Sequence, residues 1–246
     1  MPSLSTEIYA SLGLLGAAGL AAGGFAYASH WPTSQIFGRT LTAPPRPNEL
    51  ALTFDDGPNP AWTPQLLDIF AAHNAHATFF LVGKFAQAEP ALVRRIADAG
   101  HLIGNHSWSH PNLARISSRR IREELTRTRD TLEQLIGKPI RFFRPPYGAR
   151  RPVTLRIAKE LGMTPVTWNA MTNDWEEPSA DRIASNLIGK IERNRQRGYA
   201  TNIVLHDGGH QGLGVNRGPS VHAAQQLLER YRASCTFVKL DAWPSA

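Results

Sequence analysis

The sequence predicts an α/β fold in which parallel strands are joined by crossover helices. Two observations predict it. Seven short runs rich in β-branched and aromatic residues alternate with amphipathic helical patterns along one chain of 246 residues. Polar, titratable residues also follow several of the runs directly. A closed or nearly closed barrel and an open doubly wound sheet both fit the alternation. The barrel adds a condition, that chemistry gathers just after the C-terminal ends of several strands at once.

The strand expectations are residues 50–54, 77–82, 101–104, 140–143, 164–168, 202–205 and 236–240. Between the first two, "TPQLLDIFAAH" puts Leu66, Leu67 and Phe70 on one face. "PALVRRIADAG" ends at Gly100, a residue suited to the left-handed position after a helix. "SSRRIREELTRTRDTLEQLIG" has Ser117 or Ser118 to cap its start, Ile121, Leu125, Leu132 and Ile136 as its apolar stripe, and Gly137 at its end. "VTLRIAKELG", "SADRIASNLIGKIERN" and "SVHAAQQLLERY" complete the helices. No internal repeat is visible.

Ahead of this pattern, Ile8 to Ala28 is uncharged and apolar, long enough to span a bilayer. Ala26-Tyr27-Ala28 has the small-x-small form of a signal peptidase site, yet Glu7 precedes the run and the first basic side chain is Arg39. A retained anchor, a cleaved signal and a buried soluble helix are the three readings. Residues 30–48, rich in Pro, Thr and Ser, read as a linker. The expected organisation is therefore a signal or anchor segment over 1–29, a linker over 30–48 and one folded domain over 49–246.

The formal net charge is +7. An anionic partner would suit it, but the arginines are scattered, and many share a helical pattern with Glu123, Glu124 and Glu133. That is a solvated basic face, with no zinc-finger or aromatic RNA-binding signature beside it, so no nucleic acid is expected. The single cysteine, Cys235, excludes an intrachain disulfide and a cysteine-based metal site.

The strand ends carry the chemistry. Asp55 and Asp56 follow the first strand, and His106 and His110 follow "HLIGN". "RPPYG" follows "IRFF" with Arg144, Tyr147 and Gly148. Asp174 and Trp175 come after "TPVTWNAMTN", and His206 and Asp207 after "NIVL". In a helical turn, His106 and His110 would share one face within reach of one metal. A carboxylate would suit as third ligand. His206 and His210 share that spacing, His210 lying in the Gly-rich "DGGHQGLGVNRG", which lacks the order of a nucleotide cradle. Adjacent residues of a strand point to opposite faces, so Asp55 and Asp56 are expected to face in opposed directions.

"TFDDGP", "HSWSH", "RPPYG", "DW" and "LHD" stand in the order and spacing of the polysaccharide deacetylase family with a NodB-like domain, which the chain resembles over about residues 48–241. The resemblance implies a distorted (β/α)7 barrel and metal-dependent removal of acetyl groups from N-acetylated glycans, such as peptidoglycan or chitin-like oligosaccharides. It implies Asp55 as general base, Asp56, His106 and His110 as metal ligands, and His206 as general acid. It further implies that Arg144 orients Asp55, Asp174 holds His206, the Tyr147 N–H stabilises the oxyanion, and Trp175 and Leu205 wall the acetyl pocket. Zinc is the default ion, with cobalt, nickel or manganese as alternatives. The expected setting is the cell envelope, outside the cytoplasm, with the membrane reached through the N-terminal segment and no protein partner implied. One departure is "NAMTNDW", where Asn173 stands beside Asp174 in a stretch that often carries another charge.

Three rival readings exist. A non-haem iron oxygenase also uses two histidines and a carboxylate, but the β–α alternation and the Asp-Asp order disfavour it. An inactive tethered carbohydrate-binding module would be expected to lack Asp55 or His206. A metal amidase acting on a small non-sugar amide differs only in its surface loops.

Overall fold

The computed structural model describes Gly19 and residues 22–244. Most of Ile8–Ala28 lies outside them, so the apolar helix expected there is not shown as a whole. Its described end, residues 22–30, is helical. Among the described residues, no helix is long and apolar enough to cross a membrane.

The strands are β1 (Glu49–Gly57), β2 (Thr78–Leu81), β3 (Leu102–Asn105), β4 (Phe142–Phe143), β5 (Thr164–Pro165), β6 (Ala170–Met171), β7 (Thr201–His206) and β8 (Thr236–Phe237). They form one sheet in the order β5-β4-β3-β2-β1-β7-β6, with β8 beside the start of β1, and the pairings are parallel. The sheet curls into an incomplete barrel whose edges are β5 and β6. The helices are α1 (Thr63–Ala72), α2 (Gly83–Ala88), α3 (Pro90–Asp98), α4 (Ser118–Ile136), α5 (Pro152–Glu160), α6 (Ala180–Gln196) and α7 (Gly218–Tyr231). The parallel α/β expectation holds. The structure adds two short elements, β6 and α2. The runs at 140–143 and 164–168 shrink to two paired residues each, beside prolines that cannot donate to a ladder: Pro139, Pro145 and Pro165.

Caps match the residue types. The Ser117 side chain accepts from the Arg120 N–H at the start of α4, and Gly137 closes that helix at φ 66°.

Strand alternation builds two different layers. Outward-facing Leu52, Phe54, Phe79, Ile203 and Leu205 pack under the helices with Leu66, Phe70, Ile96 and Leu187. Each such side chain contributes about 1.5–3 kcal/mol on burial. Inward-facing residues change character along the barrel. Ala51, Phe80, Phe142, Val166, Leu240 and Trp243 fill the floor, whereas Thr53, Arg144 and Asn202 lie buried nearer the mouth. Gly104 makes room for this filling, because a Cβ there would sit 2.5 Å from the Phe80 ring.

Residues 31–48 run along the barrel as a strap. Leu41 bridges Val166, and the Thr40 and Thr42 hydroxyls both bond the Thr167 hydroxyl, at 2.9 and 2.8 Å. At the strap's start, the buried Arg150 guanidinium donates to the carbonyls of Gly148, Trp31, Ser34 and Ser29 at 2.9, 2.8, 2.7 and 3.4 Å.

Candidate active site

The C-terminal ends of β1, β3, β4 and β7 and the loop after β6 converge on a cavity of about 480 Å³. Asp55, Asp56, His106, His110, Tyr147, Trp175 and His206 line it. A larger groove of about 810 Å³ runs over α4 beside Trp108, but it holds none of these residues and its arginines are largely ion-paired.

The two aspartates reach one cavity by a device other than strand alternation. Alternation sends Thr53 and Asp55 inward and would send Asp56 out to the helices. Instead Asp56 has φ 70°, and the pairing with β2 shifts register between Asp55 and Gly57. This bulge swings the Asp56 carboxylate back to the mouth. Gly208 lies against it so closely that a Cβ would come within 2.1 Å of the Asp56 carbonyl oxygen.

His106 and His110 do not lie on a helical turn. Residues 106–111 form an irregular loop with Ser107 at φ 64° and His110 at φ 61°. Tyr147 is at φ 58°. Among the described residues, four of the five non-glycine residues with positive φ therefore belong to this site and its connecting loops, at a cost of about 1–3 kcal/mol each.

Asp56, His106 and His110 bring one donor atom each within 4.8 Å of one another, all buried. Asp56 Oδ1 lies 3.1 Å from His110 Nε2 and 3.6 Å from His106 Nε2. His106 donates through Nδ1 to the Arg144 carbonyl at 2.9 Å, which turns Nε2 to the centre. Among the described residues, no hydrogen-bond donor reaches the buried Asp56 Oδ1. Burial would raise the Asp56 pKa, but the surrounding imidazoles, His210 and His110 foremost, hold it well below the usual carboxylate range. Burial pushes His110 down to about 3, so its imidazole is neutral. A carboxylate, two convergent imidazole nitrogens and an orphaned buried oxygen fit a divalent cation.

Asp55 sits beside this cluster, its Oδ2 3.8 Å from His106 Nε2. Its Oδ1 accepts from Arg144 Nη1 at 2.7 Å. Arg144, fully buried, also donates to Thr53 Oγ1 and Asn202 Oδ1 at 2.7 and 3.2 Å, and lies over the Phe80 ring at 4.1 Å.

Across the cavity, His206 donates through Nδ1 to Asp174 Oδ1 at 2.8 Å, and its backbone N–H donates to Asp174 Oδ2. The Ser220 hydroxyl fixes that second oxygen at 2.7 Å. Burial would lower the His206 pKa; the Asp174 carboxylate, helped by Asp56 and Asp55, outweighs it and raises it to about 9. Trp175 stands edge-on to the His206 ring at 5.1 Å.

One residue expected in the site is elsewhere. Leu205 belongs to the layer under the helices, and its neighbour Val204 lines the cavity. The period-two alternation of β7 that aims His206 inward necessarily aims Leu205 outward. Trp168, Met171, Val215 and Arg217 also line the cavity without having been foreseen. Trp168, Val215 and Arg217 come from irregular stretches and Met171 from the two-residue strand β6, too short for a sequence period to report their direction. Asp207 is buried beneath Gly57, accepts from the Thr63 hydroxyl, and is pushed by burial up to about 7.

A family model described as polysaccharide deacetylase matches residues 42–166. The chain belongs to the polysaccharide deacetylase family. Among relatives within it, a peptidoglycan-N-acetylglucosamine deacetylase of Bacillus cereus is 45% identical over 141 residues, 57% of this chain and 51% of the relative. The match thus spans about half of that relative's length. A chitooligosaccharide deacetylase of Azorhizobium caulinodans is 36% identical over 174 residues, 70% of this chain and 80% of the relative. A crystal structure of a peptidoglycan N-acetylglucosamine deacetylase in complex with 4-naphthalen-1-yl-N-oxidanyl-benzamide superposes with a TM-score of 0.75 at 36% identity, covering 82% of this chain and 91% of that one. The fold described above is thus that of a polysaccharide deacetylase family member.

Proposed function

We propose that this chain is a metal-dependent hydrolase that removes acetyl groups from an N-acetylated glycan, with peptidoglycan and chitin-like oligosaccharides as the substrate classes. One observation carries the reading: the Asp56–His106–His110 cluster has an ionisable carboxylate, Asp55, on one side and a carboxylate-held imidazole, His206, on the other, all facing one cavity. The names of the relatives support it.

Asp56, His106 and His110 would hold the ion, zinc by preference for this donor set. When bound, such an ion supplies Lewis acidity toward a water and an acetyl carbonyl. Asp55 takes the proton of the attacking water as the new C–O bond forms, and Arg144 holds its carboxylate in place. The Tyr147 N–H donates to the oxygen that gains charge. As the C–N bond breaks, His206 gives its Nε2 proton to the leaving nitrogen, while Asp174 keeps the ring oriented through Nδ1. The products are acetate and a free amine. Trp175 walls the acetyl pocket, with Val204 in the place expected of Leu205.

The apolar run Ile8–Ala28 supports a catalytic domain held outside the cytoplasm, in the cell envelope, by a retained anchor or after secretion. The NodB-like domain is taken to begin near residue 49.

The test is acetate release by the purified chain from N-acetylated chitooligosaccharides and from peptidoglycan, with zinc, with chelator, and with Asp55→Asn. The expected result is release that chelator abolishes and that Asp55→Asn lowers by about 10²–10⁴-fold with metal still bound. Metal binding without acetate release from any glycan would overturn the reading in favour of a small-amide hydrolase or a binding module.

A further inference from the structure

The two histidines of the metal cluster are supported unequally. His106 is fixed through Nδ1 by the Arg144 carbonyl. His110 Nδ1 is buried without a partner. What brackets the His110 ring is two further rings: Tyr147 stands edge-on at 4.6 Å, and His210 lies nearly parallel, with centroids 4.6 Å apart and planes 17° apart.

His210 is tied to the carboxylate ligand as well. The Asp56 oxygens divide their neighbours: Oδ1 faces His106 and His110, and Oδ2 faces His210 Nδ1 at 3.8 Å. The His210 backbone is pinned in this place. Lys84 Nζ donates to its carbonyl at 3.1 Å, and Arg217 Nε donates to the carbonyl of Gly208 at 2.6 Å. Gly208 in turn packs on the Asp56 main chain. His210 is outside the three-residue cluster whose donor atoms all lie within 4.8 Å of one another. Its place is therefore behind a ligand.

We propose that His210 is a positioning residue for the metal site. Its ring N–H holds the outer oxygen of Asp56, leaving Oδ1 to bind the ion, and its face stacks on His110 and fixes that ring. The inference rests on Asp56, His106 and His110 being a metal site, and it adds an outer support that raises the site's affinity. At 3.8 Å the His210 Nδ1 stands just outside hydrogen-bond range of Asp56 Oδ2, so the support requires that gap to close.

The experiment measures zinc affinity of the purified full chain by competition with a chromophoric chelator, for the wild type, His210→Leu and His210→Gln. Leucine keeps apolar bulk without a donor; glutamine restores an N–H. The expected result is affinity about 10–100-fold weaker for His210→Leu and recovered to within about threefold by His210→Gln. The visible spectrum of the cobalt-loaded forms should change for leucine and return toward wild type for glutamine. Wild-type affinity in His210→Leu overturns the inference, as does a glutamine variant as weak as the leucine one. If His210→Leu does not fold, His210→Ala is read in its place. Failure of the wild type to bind zinc would instead sink the metal-site reading beneath it.

Discussion

Arg144 holds both halves of the site at once: its Nη1 donates to Asp55 Oδ1 at 2.7 Å, and its carbonyl accepts from His106 Nδ1 at 2.9 Å. A side chain replacement breaks only the first link. Burial lowers the Arg144 pKa, and the Asp55 carboxylate opposes that fall. Arg144→Met should leave Asp55 buried without its partner. Urea unfolding should show a loss of about 3–5 kcal/mol, and kcat should fall while zinc affinity, carried by the backbone-held His106, changes little. Equal losses in both would show that Arg144 acts on the ion.

The His206–Asp174 pair has a pH signature. A folded-state pKa raised from 6.5 to about 9 contributes stability that is full below 6.5 and lost as pH rises through about 9. The melting temperature of the metal-free protein should therefore fall between pH 7 and 10. As the proposed acid, His206 must be protonated, so activity should fall on the alkaline side at or below about pH 9, a bound cation drawing the limb down. Asp174→Asn removes the strongest raising influence and should move that limb to lower pH by about 1–3 pH units. A pH–rate profile that keeps its alkaline limb in Asp174→Asn would remove His206 from the acid role.

Neighbouring β7 residues should respond in opposite ways. Leu205→Ala opens a cavity under the helices and should cost about 2–5 kcal/mol of stability without changing the ranking of acyl groups accepted. Val204→Phe projects into the mouth and should lower kcat/KM for acetylated substrate with a much smaller effect on stability. Reversal of these two outcomes, in chemical denaturation and in acyl-group competition, would restore Leu205 to the pocket.

Among the described residues, Arg150 has no carboxylate partner; four carbonyls hold it. Arg150→Met should strand those acceptors at about 1–3 kcal/mol and free residues 29–34 from the loop carrying Tyr147. Hydrogen exchange should then quicken in both segments together. Exchange confined to one of them would mean that the strap and the loop are independent.

The parallel α/β order was legible because each strand run is bounded by Gly, Pro or a helix cap, as Ser117 and Gly137 bound α4. The site was legible because its side chains sit at strand ends, where topology brings distant positions together. What escaped is backbone direction. Nothing in the letters "DD" or "HSWSH" announces that Asp56, Ser107 and His110 adopt positive φ, a conformation usually left to glycine and held here by the surrounding packing. The same holds for Leu205: its place depends on the parity of one strand, and a one-residue change reverses inside and outside. His210 was visible as a spaced histidine, but its stack on His110 depends on how the Gly-rich loop folds back.

The strap begins at the opposite end of the barrel from the one where the described chain finishes. Ser29 to Ser34 are held against the loop after β4 at the mouth, while Trp243 bonds Glu49 at the floor, where β1 begins. Residues 29–34 therefore sit beside the cavity opening, and Trp243 sits behind it. A support gripping the protein at residues 29–34 would lie close to the opening, so reach would be short and glycan strands near that support would be met first. An immobilised or fused form attached through the C-terminal side would face outward, with the opening clear of its support.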